Sequence, residues 1–219
     1  MINGYSIIDS FMSKEEHLYA LNYCKTKLSY LDKDIEYDNN GRINKIKNAC
    51  LNYTPFYNIA NNKQLVAYAK KLLNTTDTLD CYISKFFPME PKGGTSTFLH
   101  QDNYYFKGDN SKIVSCAVYL TNTNKENGCL RVVPDSHKTG ILEHTVKSNI
   151  SDYIKWIPEE NCDNIVDLEL EGPYAVFFDI NLIHGCYPNN SEEYRYSLAW
   201  EYIETSNNNV PQGDRIKLH

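Results

Sequence analysis

"TSTFLHQDNYYF", residues 95–106, sets one His, one Gln and one Asp in a run that is otherwise largely apolar and aromatic. The texture is that of a buried strand. In a strand, residues i and i+2 point to the same face, so His100 and Asp102 are expected to aim at one spot. An imidazole and a carboxylate that converge form either an ion pair or two thirds of a metal site. Taken alone the pair is weak evidence. His-x-Asp arises often by chance, and its ordinary meaning is a histidine bonded to a nearby aspartate.

Working outward, the same texture recurs. Segments 79–87, 97–106, 113–121, 129–133, 165–170, 173–179 and 194–204 are short, rich in Val, Ile, Tyr and Phe, and divided by Gly, Pro, Asn or Asp. Most are too close together for helical crossovers, so antiparallel pairing into a barrel or sandwich is expected. The stretch 140–163 is long, polar and punctuated by Trp156 and Pro158, which reads as a lid-type insertion.

Upstream the pattern differs. Residues 5–8 suit a short strand. Ser13 and Glu16 have capping-box spacing and open a helix with a stripe of Leu18, Leu21, Cys24, Leu28 and Leu31. Residues 32–48, around Asn39-Asn40-Gly41, read as a polar loop. A second helix is expected over about 60–73, with Leu65, Tyr68, Ala69, Leu72 and Leu73 on its buried side. There is no internal repeat and no low-complexity linker. The expectation is one domain over 1–219, with a mainly helical part at 1–78 and a β core at 79–204.

Composition narrows the classes of function. The chain has 219 residues, 42% of them hydrophobic, and a net charge of −6. An acidic balance disfavours a nucleic-acid surface, which needs a basic footprint. Seven cysteines occur without a Cys-x-x-Cys pair, and several lie in apolar runs. They read as reduced thiols rather than a zinc cluster or a disulfide framework. The start "MINGYSIIDSFMS" lacks the basic and apolar regions of a signal peptide, and no run approaches the ~18 apolar residues of a membrane span. No membrane and a cytoplasmic location are therefore expected.

The next candidate ligand lies far downstream, in "FFDINLIHGCYPNNSEEYRYSLAWEY", where His184 follows an apolar run and Arg195 heads a strand-like one. Two His and one carboxylate on one face of a metal, with positions left open, make the facial triad of non-haem Fe(II) oxygenases. An Arg one strand from the distal His can pair in bidentate fashion with a dicarboxylate co-substrate, 2-oxoglutarate.

At this point a resemblance can be stated. "FLHQDNYYF", "ENGCLRVVPDSHKTG" and "IHGCYPNNSEEYRYSLAW" resemble, in order, three motifs of the phytanoyl-CoA dioxygenase family of iron- and 2-oxoglutarate-dependent oxygenases. The resemblance covers about 79–204. It implies a double-stranded β-helix, jelly-roll and cupin-like, mainly β with flanking α-helices. It implies His100, Asp102 and His184 as iron ligands and catalytic centre, and Arg195 as the anchor for 2-oxoglutarate. Ser197 is a second donor to the same carboxylate, and Tyr82 a further candidate there. The implied reaction hydroxylates an unactivated C–H of a small molecule, consumes O2, releases succinate and CO2, and takes ascorbate as an accessory reductant. Position 118 is Val118, where several members of the family carry Trp, and the approach to the first motif is "FPMEPKGG". Both positions are expected near the pocket, which points to a substrate other than an acyl-CoA.

Two other classes compete. A zinc hydrolase could use the same three ligands with a bound hydroxide, but it leaves Arg195 without a task. A metal-free cupin-like protein that binds a small molecule would not need the triad. Within the superfamily, Asp102 argues against a halogenase, and Glu201, six residues after Arg195, argues against the nucleic-acid demethylases. For the remaining candidates the ordinary readings are structural. His137 is expected to bond loop backbone, and Asp179 to form a turn. His17, His144 and His219 are expected to be solvated. Lys85 is expected to pack on a core strand. Tyr104 and Tyr105 are expected to alternate between pocket and sheet, and Gln101 to point opposite to the ligands.

Overall fold

The computed structural model describes residues 1–107, 109, 112–146 and 155–219. The chain opens with strand β1 (Tyr5–Ile8) and helix α1 (Lys14–Lys27). The first turn of α1 is closed as its spacing predicts. Ser13 Oγ accepts from Glu16 N at 3.2 Å, and Glu16 Oε2 accepts from Ser13 N at 2.7 Å, which satisfies two donors that a helix start otherwise leaves open. The stripe holds except at its start. Cys24 and Leu31 are buried in the core and Leu21 and Leu28 pack against it, joined by Ala20, while Leu18 is exposed.

Residues 32–48 are not a loop. They form a hairpin of β2 (Ile35–Tyr37) and β3 (Ile43–Lys47). Asp38 builds its turn: Oδ1 accepts from Asn40 N at 2.8 Å and from Arg42 N at 2.9 Å, and Gly41 supplies a left-handed φ of +76°. Glu36 pairs with Lys45 and Lys47 at 3.0 and 2.9 Å. This surface ribbon is polar enough to read as loop, and Ile46 is its buried anchor. Three helices follow, α2 (Ala49–Asn52), α3 (Thr54–Ala60) and α4 (Lys63–Leu73). Asn62 caps α4 by accepting from Gln64 N and Leu65 N.

The core strands are β4 (Leu79–Met89), β5 (Thr97–His100), β6 (Ile113–Tyr119), β7 (Leu130–Val132), β8 (Thr145–Val146), β9 (Lys155–Trp156), β10 (Val166–Leu168), β11 (Tyr174–Phe178), β12 (His184–Cys186), β13 (Arg195–Glu204) and β14 (Arg215–Lys217). Among the described residues they pair antiparallel into two sheets and one short ribbon. The larger sheet runs β1-β11-β6-β13-β4-β3-β2, with β14 also on β4. The smaller runs β10-β7-β12-β5, and β8 pairs with β9. Residues 1–78 are thus less helical than expected, since β1 and β3 extend the larger sheet at its two sides.

The segment 97–106 is a strand only to His100. It then turns into a short helix, α5 (Asn103–Phe106), with Asp102 at its cap position in helical backbone. The aromatic run "NYYF" satisfies strand statistics, but Asn103 N donates to Ile180 O and the chain leaves the sheet there.

Alternation along β6 and β13 divides two environments. Val114, Cys116 and Val118, with Tyr196, Leu198, Trp200 and Tyr202, pack against the N-terminal helices. Ala117 and Tyr119 join Tyr174, Val176 and Phe178 of the larger sheet and Leu130, Val132 and Leu168 of the smaller in a second cluster. The two sheets therefore face each other across a packed interior, a double-stranded β-helix. A register shift between Ala199 and Glu201 sits opposite Lys85 and Tyr82, where Ile83 has a φ of +47°. This bulge lets both Tyr82 and Lys85 face inward.

Candidate metal centre

Sheet pairing brings the two histidines together. His184, first residue of β12, is directly opposite His100, last residue of β5. β12 can approach β5 this closely because the next residue is Gly185: a Cβ there would lie 2.6 Å from Thr97 O. Asp102 arrives by another route, from the turn beyond β5 rather than from the strand face. The three ligating atoms lie within 4.8 Å of one another. Asp102 Oδ1 is 3.5 Å from His100 Nε2 and 3.8 Å from His184 Nε2.

Each member is oriented by a bond at its far side. His100 Nδ1 donates to Phe98 O at 2.8 Å, and His184 Nδ1 donates to Leu182 O at 3.0 Å. A carbonyl can only accept, so both rings carry a proton on Nδ1 and turn Nε2 inward. Ser115 Oγ donates to Asp102 Oδ2 at 2.7 Å, which leaves Oδ1 turned to the imidazoles. Burial pushes His184 down to about 4, against the opposing pull of Asp102. Burial disfavours the charge of Asp102, but His184, His100 and Lys85 outweigh it and hold the carboxyl well below the usual range. With Nδ1 engaged outward on both rings, two Nε2 atoms and one carboxylate oxygen face a common point, and a divalent cation binding there would take the rings in their neutral form. These donors fit the facial triad with positions left open.

Arg195, at the start of β13, is opposite Met89 on β4. It is 2% exposed, which makes its surroundings decisive. The guanidinium lies 5.2 Å from the centre of the Tyr119 ring, and Nη2 contacts Met89 Sδ. Nε has no hydrogen-bond partner, and among the described residues no carboxylate lies within ion-pair distance. A buried cation without an anion is costly unless a ligand supplies one. Ser197 follows on the same face, buried between Phe87 and Tyr119 on the neighbouring strands.

Tyr82 is not brought to Arg195. It stands opposite Glu201, near the other end of β4 from Met89, and its hydroxyl donates to Pro211 O at 2.7 Å. That bond occupies the group expected to reach 2-oxoglutarate. Lys85 is more than packing: its Nζ lies 3.8 Å from Glu201 Oε1. Glu201 is buried, its Oε2 has no partner, and burial pushes it up to about 8 despite Lys85.

Several other expectations change. His144 is buried, accepts from Gln101 N at 3.0 Å and stacks on Tyr104 with ring centres 4.0 Å apart. His17 is bonded to Leu120 O at 2.7 Å. His137 Nδ1 is buried without a hydrogen-bond partner, so no loop carbonyl is held through that atom. Because α5 is a helix, Tyr104 and Tyr105 do not alternate; Tyr105 meets His100 edge-on at 6.2 Å. Asp179 does form a turn, accepting from Asn181 N at 2.8 Å. Ser115 was not singled out in the sequence, yet its inward phase on β6 was available once β6 was drawn. His144 gave no signal, because its partners are far away in the chain. Residues 147–154 of the expected lid lie outside the described residues. No helix among the described residues is long and apolar enough to cross a membrane.

Comparison with known proteins agrees with this geometry. The model of the phytanoyl-CoA dioxygenase (PhyH) family matches residues 2–197, and the chain belongs to that family. It is 28% identical over 123 residues to phytanoyl-CoA dioxygenase 1 of Oryza sativa subsp. japonica, covering 56% of this chain and 44% of that protein. It is 22% identical over 216 residues to the "Probable alpha-ketoglutarate-dependent hypophosphite dioxygenase" of Stutzerimonas stutzeri, covering 91% and 74%. The chain thus spans less than half the length of the rice relative. The crystal structure of EctD from S. alaskensis with 2-oxoglutarate and 5-hydroxyectoine superposes with a TM-score of 0.74 at 20% identity, over 94% of this chain and 74% of that one. That likeness establishes the shared fold.

Proposed function

We propose that this chain is an Fe(II)- and 2-oxoglutarate-dependent dioxygenase that hydroxylates an unactivated C–H of a small molecule. The observation that carries the reading is a pair of unmet needs in one barrel interior. Three oriented donors converge on one point, and Arg195 is buried with Nε unpartnered and no protein carboxylate in reach among the described residues. A zinc hydrolase answers the first need only. A non-catalytic binding protein explains neither.

His100, Asp102 and His184 would hold the iron, whose contribution with O2 and 2-oxoglutarate is the oxidising power for hydroxylation, with succinate and CO2 as products. The chain's own residues do the rest. Arg195 receives the distal carboxylate in its fork, with Ser197 as a second donor. Phe178 lies against the His184 ring at 4.5 Å and helps keep water from that side. Ser115 fixes which Asp102 oxygen faces the metal. The domain reading of 1–219 and a cytoplasmic setting belong to the same proposal, the latter supported by free thiols of which Cys24, Cys50, Cys81, Cys116 and Cys129 are buried.

The test is anaerobic titration of 2-oxoglutarate into Fe(II)-loaded protein, followed by exposure to air with succinate measured. Saturable binding that needs both Fe(II) and Arg195, with succinate formed, is expected. Absence of 2-oxoglutarate binding to iron-loaded protein would sink the proposal.

A further inference from the structure

Gln101 stands between two of the proposed ligands and points away from both. It is fully buried, and its side-chain amide is bonded on three sides. Nε2 donates to Asn181 O at 2.6 Å and to Gly140 O at 2.8 Å, while Oε1 accepts from Leu142 N at 2.8 Å. Two carbonyls and one N–H fix the amide's orientation, since the reverse would set oxygen against oxygen. The backbone N–H of Gln101 donates to His144 Nε2 at 3.0 Å. One residue therefore joins three segments: the end of β5 with its ligands, the turn that feeds His184, and the 140–144 stretch that opens the long insertion.

These bonds matter because the sheet ladder does not place Asp102. His100 and His184 are set by strand pairing, but Asp102 lies beyond the last rung. What ties its turn to the His184 side is a short set of amide bonds. Gln101 Nε2 reaches Asn181 O, Asn103 N donates to Ile180 O at 2.8 Å, and Asn103 Nδ2 donates to Asn181 Oδ1 at 2.8 Å. From there the chain reaches Leu182, whose carbonyl orients the His184 ring. A metal constellation tolerates only about 0.5 Å of displacement before it fails, so the groups that set this separation act on the metal at one remove.

We infer that Gln101 is a positioning residue for the metal centre, holding the Asp102 turn at its working distance from His184 and fastening 140–144 to the same point. The inference rests on the proposed metal site. Its test uses Co(II), which reports both affinity and ligand geometry by visible absorption, on the metal-free 219-residue chain. Gln101→Met keeps the length and apolar stem but removes the three side-chain hydrogen bonds. Co(II) affinity should fall about 10- to 100-fold, the usual effect of losing a group that orients ligands, and the absorption bands should shift. The melting temperature of the metal-free protein should fall as well, but that alone decides nothing. Wild-type affinity and wild-type bands in Gln101→Met, whatever its melting temperature, would reduce Gln101 to ordinary packing. Should that variant fail to fold, Gln101→Glu keeps the acceptor for Leu142 N but replaces the donor to Asn181 O and Gly140 O by an oxygen. It should weaken Co(II) in the same direction, and unchanged affinity there overturns the inference too. Wild-type protein that takes up no more Co(II) than His184→Ala would overturn the metal centre itself, a result distinguishable from the failure of Gln101 alone.

Discussion

The two faces of β13 are both largely buried and chemically opposite. On the outer face, Tyr196, Leu198, Trp200 and Tyr202 pack against the helices, and Tyr202 satisfies its hydroxyl by donating to Ala60 O at 2.8 Å. On the inner face, Arg195, Ser197 and Glu201 are buried too, yet Arg195 Nε and Glu201 Oε2 lack partners. Burial of apolar surface stabilises the first face at roughly 25 cal/mol per Å². The second face carries a penalty, because buried polar groups cost free energy when their bonds are unmade. The outer face leaves one neutral group unmet, Trp200 Nε1, whereas on the inner face the unmet atoms belong to a guanidinium and a carboxyl, groups whose desolvation costs far more, so the inner face is the one on which a ligand would relieve the larger penalty.

The largest effect should come from the point where that penalty meets a metal. His184→Ala should remove Co(II) or Fe(II) binding altogether while the metal-free protein keeps its fold, because one inward ring is lost and the ladder remains. Metal titration with far-ultraviolet circular dichroism checks both halves. Retained metal binding would mean that the three residues do not act as one centre.

Next come one substitution on each face, chosen to move stability in opposite directions. Trp200→Ala should destabilise by about 3–5 kcal/mol, as large aromatic truncations in packed cores do, and should leave 2-oxoglutarate affinity nearly unchanged if the variant is folded. Arg195→Met should do the reverse. Replacing a buried, uncompensated charge by an apolar chain should stabilise the ligand-free protein by about 1–4 kcal/mol. It should also weaken 2-oxoglutarate by about 10²- to 10³-fold, the equivalent of the ~3–5 kcal/mol lost when one partner of a buried pair is removed. Denaturant unfolding and anaerobic titration on both variants decide the matter. Loss of stability in Arg195→Met would make Arg195 a structural residue.

How much of this was legible depends on where the information sits. His100, Asp102, His184 and Arg195 could be read because each is a reactive side chain that a packed apolar strand does not need. The β core could be read because strands covered on both faces are nearly continuous apolar runs, as in β6. The β2–β3 hairpin could not, since Glu36, Asn44, Lys45 and Lys47 make its strands polar and only Ile46 is fully buried. The helical turn α5 could not, since "NYYF" is a good strand sequence, and only the bond from Asn103 N to Ile180 O, far along the chain, turns it aside. His144 and Gln101 show the same limit. Their bonds join residues some forty and eighty positions apart, and no local pattern encodes such pairings.

Glu201 sharpens the comparison through pH. Its carboxyl is pushed up to about 8 by burial in the folded chain, whereas in the unfolded chain it titrates in the ordinary range near ~4.3. Between those values the native state holds a proton that the unfolded state has released. The contribution of Glu201 to stability is therefore fully present below the unfolded value and declines as pH rises toward 8. Glu201→Gln keeps an acceptor for Lys85 but cannot ionise. It should flatten that decline and raise stability at pH 8 relative to wild type by something of the order of a few kcal/mol. Parallel unfolding curves of the two proteins from pH 5 to 8.5 would show Lys85 dominating, with Glu201 ionised throughout.

The smallest effect belongs to Ser197, and it tests how far the unsettled face extends. Ser197 lies two residues beyond Arg195 on the inner side of β13, about 7 Å along the strand, between Phe87 and Tyr119. If its hydroxyl donates to the carboxylate that Arg195 holds, Ser197→Ala removes one hydrogen bond from a ligand whose charge is already paired. A single such bond is worth about 0.5–1.5 kcal/mol, rising to ~3 when the acceptor is charged, so 2-oxoglutarate should bind roughly 10-fold more weakly at ~1.4 kcal/mol per decade. Co(II) affinity should not change, because Ser197 touches no ligand to the metal. Stability should hardly change, because the methyl of Ala fits the same packed position. Anaerobic titration of iron-loaded Ser197→Ala measures the first of these and a melting curve the last. Wild-type affinity for 2-oxoglutarate would confine the anion site to Arg195, and Ser197 would then belong with the packed residues around it despite its inward direction.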